Sequence, residues 1–163
     1  MKPQPSPRTK PSALSSKVLQ FEREWDGGYR PSDTYPHLAL ATANTHDMAT
    51  IAGFWDGRDI DIRRDVGLID SDDKYAQAQS DRATDRRKLL DRLADERLLA
   101  DAVAPANPAE LRGAIHGLLC RSPASLVGVA LDDLAGELEP VKVPGVGLDE
   151  YPCCSRNMSK TLS

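Results

Sequence analysis

Residues 38–57 read LALATANTHDMATIAGFWDG, and this stretch decides the fold class. It begins with Leu38–Thr42, a run that is apolar up to its last residue, which is typical of a strand covered on both faces in a parallel sheet. The apolar residues that follow recur at helical spacing, and Gly57 stands where a helix would end. His46 and Asp47 are therefore predicted to lie in a turn from strand to helix.

Two further apolar runs, Val18–Phe21 and Leu126–Leu131, are also predicted to be strands. Between them, the charge-rich residues 72–100 predict a long amphipathic helix with an interruption near Ser80. Its apolar stripe is formed by Leu90, Ala94 and Leu98. Strands that alternate with helices favour βαβ units and a parallel sheet. The predicted fold class is therefore α/β.

The most completely specified helix begins after Asn107, a predicted N-cap, with Pro108 at its first position. Its apolar face consists of Leu111, Ala114, Ile115, Leu118 and Leu119. Asp132–Leu134 predict a short helical turn further along the chain. The last 30 residues are rich in proline and glycine and predict an extended coil on a surface.

Composition limits the class of protein. The 21 basic and 25 acidic residues form no broad basic face, so we expect no nucleic-acid partner. No apolar run approaches the roughly 18 residues of a membrane span. Residues 1–16 are proline- and serine-rich, contain no apolar signal-peptide core and are predicted to be disordered. We therefore expect a cytoplasmic location and no membrane partner.

Cysteine usage predicts neither a disulfide framework nor a metal site. The three cysteines, Cys120, Cys153 and Cys154, are odd in number, and two of them are adjacent. Neither His37 nor His116 lies at ligand spacing from them. The sequence therefore predicts no metal and no cofactor, and no role is assigned to either adjacent cysteine.

Several residues near the strand-to-helix turn have two interpretations. Asp47 could simply cap the following helix, and a lone histidine such as His46 is more often structural. A histidine and a carboxylate at the carboxyl end of a buried strand are also what a sugar-processing barrel places against a glycosyl ring. Trp55 is interpreted as helix-face core rather than a sugar platform. Arg58 and Asp59 could orient the loop or pair at the surface.

Four blocks, in order along the chain, carry a resemblance to a known family. They are Lys17–Arg23; Ala43–Trp55 with Gly57–Ile60; Arg121–Ala124 with Leu126–Leu131; and Glu139–Gly145, followed by Tyr151-Pro152. Over about residues 15–152 the chain resembles the 4-alpha-glucanotransferases, the amylomaltases or disproportionating enzymes of glycoside hydrolase family seventy-seven. The resemblance implies the C-terminal part, about the last three strands, of a (β/α)8 TIM barrel, incomplete as given.

The resemblance also implies retaining transfer of α-1,4-glucan segments to the 4-hydroxyl of an acceptor glucan or glucose. Asp47 matches the family's third carboxylate, which stabilises the oxocarbenium-like transition state, and His46 matches the histidine that hydrogen-bonds the same sugar. The implied partners are α-1,4-glucans and maltooligosaccharides. The family's nucleophile and acid/base lie on earlier strands, so we expect the chain alone to be inactive. The alternative is a noncatalytic truncated product, or the glucan-binding half of a split enzyme that pairs with a missing N-terminal half.

Three positions depart from the family pattern. Ala49 stands where proline is common, Lys142 where asparagine is usual, and Cys153-Cys154 where Asn-Trp is expected. Lys142 would put a cation near the sugar groove in place of a neutral amide.

The predicted organisation has three parts. These are a disordered head (1–16), the C-terminal part of a catalytic barrel (17–152) and a divergent tail (153–163). Three strands taken from a closed sheet leave two open edges and an uncovered face. We therefore expect a partly molten, oligomeric or aggregation-prone chain.

Overall fold

The described part of this protein contains a sheet of three parallel strands. The structure is a computed structural model that describes residues 14–159. The strands are β1 (Ser15–Val18), β2 (Ala39–Thr42) and β3 (Leu126–Gly128), in the spatial order β1-β2-β3. Both neighbours of β2 run parallel to it. The predicted parallel sheet is therefore confirmed, with the run at 38–42 as its central strand.

The outer strands have different bounds from those predicted, and pairing explains why. Val18 and Gly128 both lie opposite Thr42, the last residue of β2, so each ladder ends there. Leu19–Phe21, predicted as strand, instead form a turn of 3-10 helix. Leu131, also predicted as strand, begins a helix.

The N-terminal strand also corrects the predicted boundary of the disordered head. Ser15 and Ser16 belong to β1, opposite Ala39 and Leu40 of β2. Strand pairing with β2 orders two residues whose composition alone favours disorder. The prediction for residues 1–13 lies outside the described residues.

Five α-helices occur within residues 14–159. They are α1 (Ile51–Asp56), α2 (Arg58–Asp65), α3 (Asp72–Asp95), α4 (Pro108–Arg121) and α5 (Leu131–Ala135). Gly57 ends α1 with a positive φ of 93°, as its position predicts. α3 continues through Ser80, where an interruption was expected. A single serine inside a helix costs only a fraction of a kcal/mol, about 0.5.

The capping prediction for α4 and the short helical turn predicted for α5 are confirmed. The Oδ1 atom of Asn107 accepts a hydrogen bond from the backbone N–H of Ala109 at 3.0 Å, and Pro108 opens α4. The short helical turn expected at Asp132–Leu134 is α5.

The main core lies between the sheet and helices α1, α3 and α4. Ala39 and Ala41 of β2 are fully buried, and such small side chains let the helices approach the sheet closely. All five predicted core residues of α4 are buried. On α3 the buried residues are Leu89, Leu90 and Leu93. Of the predicted apolar stripe, only Leu90 is among these buried residues. Leu98 lies outside the helix, because α3 ends at Asp95.

The opposite face of the sheet is open. Leu40 pairs with Leu126, so their side chains lie on the same face, and Leu126 is 54% exposed. Leu38, just before β2, is 46% exposed. Among the described residues, β1 and β3 each pair only with β2.

Residues 136–159, here called the C-terminal segment, follow α5 without a helix or strand and return across the helices. Ile62 of α2 packs with Val143 and Tyr151 in a second small core. The Tyr151 hydroxyl donates a hydrogen bond to the carbonyl oxygen of Pro140 at 2.6 Å. This agrees with the extended coil predicted there. Within the described part of the chain, no helix is both long and apolar enough to cross a membrane.

Candidate functional site

The turn between β2 and α1, residues 43–50, carries His46 and Asp47 as predicted. It lies at the carboxyl end of β2, where parallel α/β sheets place their ligands. The His46 side chain is 65% exposed and that of Asp47 is 42% exposed. Both groups can therefore reach a ligand.

The Asp47 carboxylate lies between two basic side chains. Its Oδ1 atom is 3.0 Å from the Nζ atom of Lys142, and its Oδ2 atom is 3.4 Å from the Nε2 atom of His46. The hydrogen bond from Lys142 is the main cause that lowers the pKa of Asp47. The same contact raises the pKa of Lys142. Asp47 is therefore ionised at neutral pH, and Lys142 places a cation beside it, as expected from the resemblance.

Asp47 does not cap the helix that follows it, so that interpretation is wrong. α1 begins three residues later than the apolar pattern suggests, at Ile51. Its N-cap is Thr50, whose hydroxyl accepts a hydrogen bond from the N–H of Gly53 at 2.9 Å. The Asp47 carboxylate is thus left for contacts outside the helix.

Asp47 and Lys142 line a cleft of about 540 Å³, here called the first cleft. Its walls come from the chain after β1, the β2–α1 turn, α2 and the C-terminal segment; they include Gln20, Phe21, Asp59, Arg63 and Pro140. The Phe21 ring is 70% exposed. Sequence reasoning placed Phe21 in a strand and so did not assign it to this site.

A partly buried ion pair forms part of the same cleft. Arg82 of α3 donates two hydrogen bonds to the Asp59 carboxylate of α2, at 2.7 and 2.8 Å, and a third to the carbonyl oxygen of Phe54. Arg58 instead pairs with Glu139 of the C-terminal segment at 2.8 Å. The adjacent residues Arg58 and Asp59 therefore join different parts of the structure.

His46 lines a second cleft of about 260 Å³, rather than the first. The second cleft opens between the ends of β2 and β3, where Thr42 and Gly128 lie on its wall. Met48 lines both clefts, so they share a wall. The structure thus brings the two predicted site residues within 3.4 Å of each other and turns them toward adjoining clefts.

Sequence reasoning missed the buried carboxylate beneath this turn. Asp133 of α5 is 1% exposed and accepts hydrogen bonds from the Asn44 side chain and from the Ile51 backbone. Burial raises its pKa, and these hydrogen bonds act in the opposite direction. The sequence pattern marked Asp132-Asp133 only as a helix start, and no periodicity distinguishes which of the two faces inward.

The other residues considered for a functional role, Trp55 and the cysteines, do not contact Asp47. Trp55 packs against the main core, with the Arg86 guanidinium 5.8 Å from its ring centre, and does not line the first cleft. Within residues 14–159 there is no cluster of histidine, cysteine and acidic side chains able to hold a metal ion. Cys153 and Cys154 are free thiols.

Comparison with known proteins identifies one family. The family model for 4-alpha-glucanotransferase matches residues 6–161. The chain is 32% identical to the 4-alpha-glucanotransferase of Mycobacterium tuberculosis over 143 residues, which are 85% of this chain and 19% of that protein. It is 28% identical to the Haemophilus influenzae 4-alpha-glucanotransferase over 151 residues, 90% of this chain and 21% of that protein.

The structural comparison gives the same result. The crystal structure of amylomaltase from Corynebacterium glutamicum superposes with a TM-score of 0.81 at 27% identity. The match covers 89% of this chain and 21% of that one. The chain therefore spans about a fifth of the length of the proteins that it matches.

Proposed function

The chain belongs to the 4-alpha-glucanotransferase family, and we propose that it supplies the transition-state-stabilising wall of a glucan-transfer site. The reaction is retaining transfer of α-1,4-glucan segments to the 4-hydroxyl of an acceptor glucan or glucose. The observation that carries the proposal is the position of Asp47, an ionised carboxylate on the wall of the first cleft, at the carboxyl end of a parallel strand. α-1,4-Glucans and maltooligosaccharides are the proposed partners.

Asp47 acts in this proposal as a stabilising charge. Cleavage of a glycosidic bond by this route develops positive charge on the sugar ring, and a fixed carboxylate beside the ring lowers the energy of that state. Retention also requires a nucleophile and a separate acid/base. We assign neither of those roles to a residue of this chain.

His46 contributes binding rather than charge stabilisation. Its imidazole has two ring nitrogens that can hydrogen-bond neighbouring hydroxyls of one sugar. His46 is exposed in the second cleft, and its 3.4 Å contact with Asp47 places both side chains within reach of a sugar bound where the two clefts adjoin. Lys142 contacts the Oδ1 atom of Asp47, so the Oδ2 atom on the His46 side can accept a hydrogen bond from a sugar hydroxyl.

Glucan binding by the 163-residue chain tests the site directly. A titration with maltotriose, followed by amide NMR shifts, is expected to perturb the β2–α1 turn. Asp47→Asn should weaken this binding. Asp101→Asn, in the exposed loop between α3 and α4, is the matched control and should leave it unchanged. Perturbations confined to other parts of the chain would contradict the proposed site.

Catalysis is tested in two steps. The chain alone is expected to give no maltotriose disproportionation, because stabilisation without a nucleophile leaves only residual rate. A chimera in which this chain replaces the matching part of the C. glutamicum amylomaltase is expected to be active. In that chimera Asp47→Asn should cost about 10²–10³ in turnover, the scale for losing one preorganised stabilising group. Full activity of the Asn variant would remove Asp47 from the mechanism.

A second candidate is a noncatalytic glucan-binding chain, either a truncated product or half of a split enzyme. Within residues 14–159 the outer edges of β1 and β3 are unpaired, which favours this candidate, since strands at such edges accept further strands from a partner. The partner would be a separate N-terminal half that supplies the remaining strands. Recovery of activity on mixing the two polypeptides would support the split enzyme.

A further inference from the structure

The Asp133 carboxylate contacts both ends of the turn that carries His46 and Asp47. Its Oδ1 atom accepts a hydrogen bond from the backbone N–H of Ile51, the first residue of α1, at 2.7 Å. The Nδ2 atom of Asn44, just after β2, lies 3.0 Å from Oδ2 and 3.2 Å from Oδ1. One buried side chain thus joins the start and the end of the turn.

Two further hydrogen bonds close the same turn. The Asn44 amide also donates to the carbonyl oxygen of Ala49 at 3.1 Å, which ties the turn to itself. The Thr50 hydroxyl donates to the carbonyl oxygen of Glu137 at 2.6 Å, which ties it to the chain after α5. Asn44, Thr50 and Asp133 are all buried. Buried polar groups must be paired, and a fully paired network has few alternative arrangements.

We propose that Asp133 is a positioning residue that holds the β2–α1 turn so that Asp47 faces the first cleft beside Lys142. Asp133 is only 1% exposed, and it acts through Asn44 and Ile51. This inference rests on the proposed function, because it explains how the stabilising carboxylate is kept in place. It assigns a role in the site to α5, the helix that follows β3.

A carboxylate suits this position because the groups that hydrogen-bond to it, on Asn44 and Ile51, are donors; His116 and Asp132 act on it electrostatically. Both Asn44 and Ile51 point N–H groups at it, and an ionised carboxyl accepts without donating. An asparagine at 133 would turn one N–H toward these donors. An alanine would leave the Ile51 N–H and the Asn44 amide buried without this acceptor.

The test is the pKa of Asp47, measured by carbon-13 NMR on the full 163-residue chain. Asp133→Ala and Asp133→Asn are expected to raise it toward the ordinary aspartate value, because a released turn moves Asp47 away from Lys142. Both variants should also weaken maltotriose binding at least tenfold. Asp132→Asn, the neighbouring residue on α5, is the matched control and should leave the pKa of Asp47 unchanged.

Loss of folding in Asp133→Ala does not leave the question open. Asn44→Ala removes the contact from the side of the turn and should shift the pKa of Asp47 in the same direction. An unchanged pKa of Asp47 in both Asp133→Asn and Asn44→Ala overturns the proposal.

The pKa of Asp47 is measured without glucan, so it tests only whether Asp133 holds the β2–α1 turn, here called the clamp. A shifted pKa in a chain that binds no maltotriose would support the clamp and contradict the proposed function. If Asp133→Asn left both maltotriose binding and the pKa of Asp47 unchanged, the result would support the proposed function and contradict the clamp.

Discussion

Asp47 and Asp59 line the same cleft, and each forms an ion pair with a basic residue. The side chains of Asp47 and Lys142 are 42% and 40% exposed, whereas those of Asp59 and Arg82 are 17% and 12% exposed. Water screens the first pair, so a sugar hydroxyl can compete for it at little cost. The second pair is largely shielded and forms part of the wall. Two similar contacts thus have different roles because their exposure differs.

At the residue scale, Lys142 is predicted to control the protonation of Asp47. Lys142→Gln should raise the pKa of Asp47, because the contact that lowers it is removed. The attraction in the native chain is present at neutral pH and is lost as the pH falls through the lowered pKa of Asp47. Carbon-13 NMR titration of the carboxyl groups measures this.

An equivalent surface pair provides the control. Lys74 lowers the pKa of Asp70 by the same kind of contact on the exposed side of α3. Lys74→Gln should raise the pKa of Asp70 and leave that of Asp47 unchanged. If Lys142→Gln also left Asp47 unchanged, the ion pair would not exist in solution.

At the element scale, α2 and α3 are joined by the largely shielded pair of Asp59 and Arg82. Asp59→Asn should lower the free energy of unfolding by about 3 kcal/mol, because Arg82 would keep its charge in a largely buried site without its partner. Urea unfolding measures the loss. The control is Asp91→Asn on α3, which breaks an exposed pair with Arg87 and should cost no more than about 0.5 kcal/mol.

The N-terminus of α4 gives a second prediction at this scale. Asn107→Ala removes the acceptor for the Ala109 N–H and should cost about 1 kcal/mol of unfolding free energy. Asn107→Asp keeps a capping oxygen and should cost less. An equal loss in both variants would show that the cap is not the cause.

At the scale of the whole molecule, the uncovered sheet face is the feature that most favours self-association of the chain. Leu38 and Leu126 are about half exposed, and within the described residues the outer edges of β1 and β3 are unpaired. Exposed apolar faces and open edges promote association between copies. We expect the purified chain to self-associate, which analytical ultracentrifugation would detect.

A lysine on the open face is predicted to reduce this association. Leu126→Lys places a charge on the face formed by β2 and β3. Leu148→Lys is the control, because Leu148 is 73% exposed in the C-terminal segment, away from the sheet. A monomeric wild-type chain, or an equal effect of both variants, would contradict the role of the sheet face.

Much of the local structure could be predicted from sequence because it depends on near neighbours. The cap at Asn107, the end of α1 at Gly57 and the turn around His46 and Asp47 all follow from short-range geometry. The ends of the strands could not be predicted. β3 ends at Gly128 because its partner Thr42 is the last residue of β2, and a local pattern cannot show a pairing between residues so far apart in the chain.

The sequence by itself determined the parallel α/β class, the central strand, the turn with His46 and Asp47, and the family resemblance, because each rests on local pattern or ordered blocks. Only the tertiary structure decided that Lys142 pairs with Asp47 and that Asp133 supports the turn. These contacts join residues more than 80 positions apart, and the direction of a side chain within a short helix such as α5 depends on what packs against it. Ion pairs and hydrogen bonds between residues so far apart form only when the chain folds, so a local sequence pattern does not reveal them.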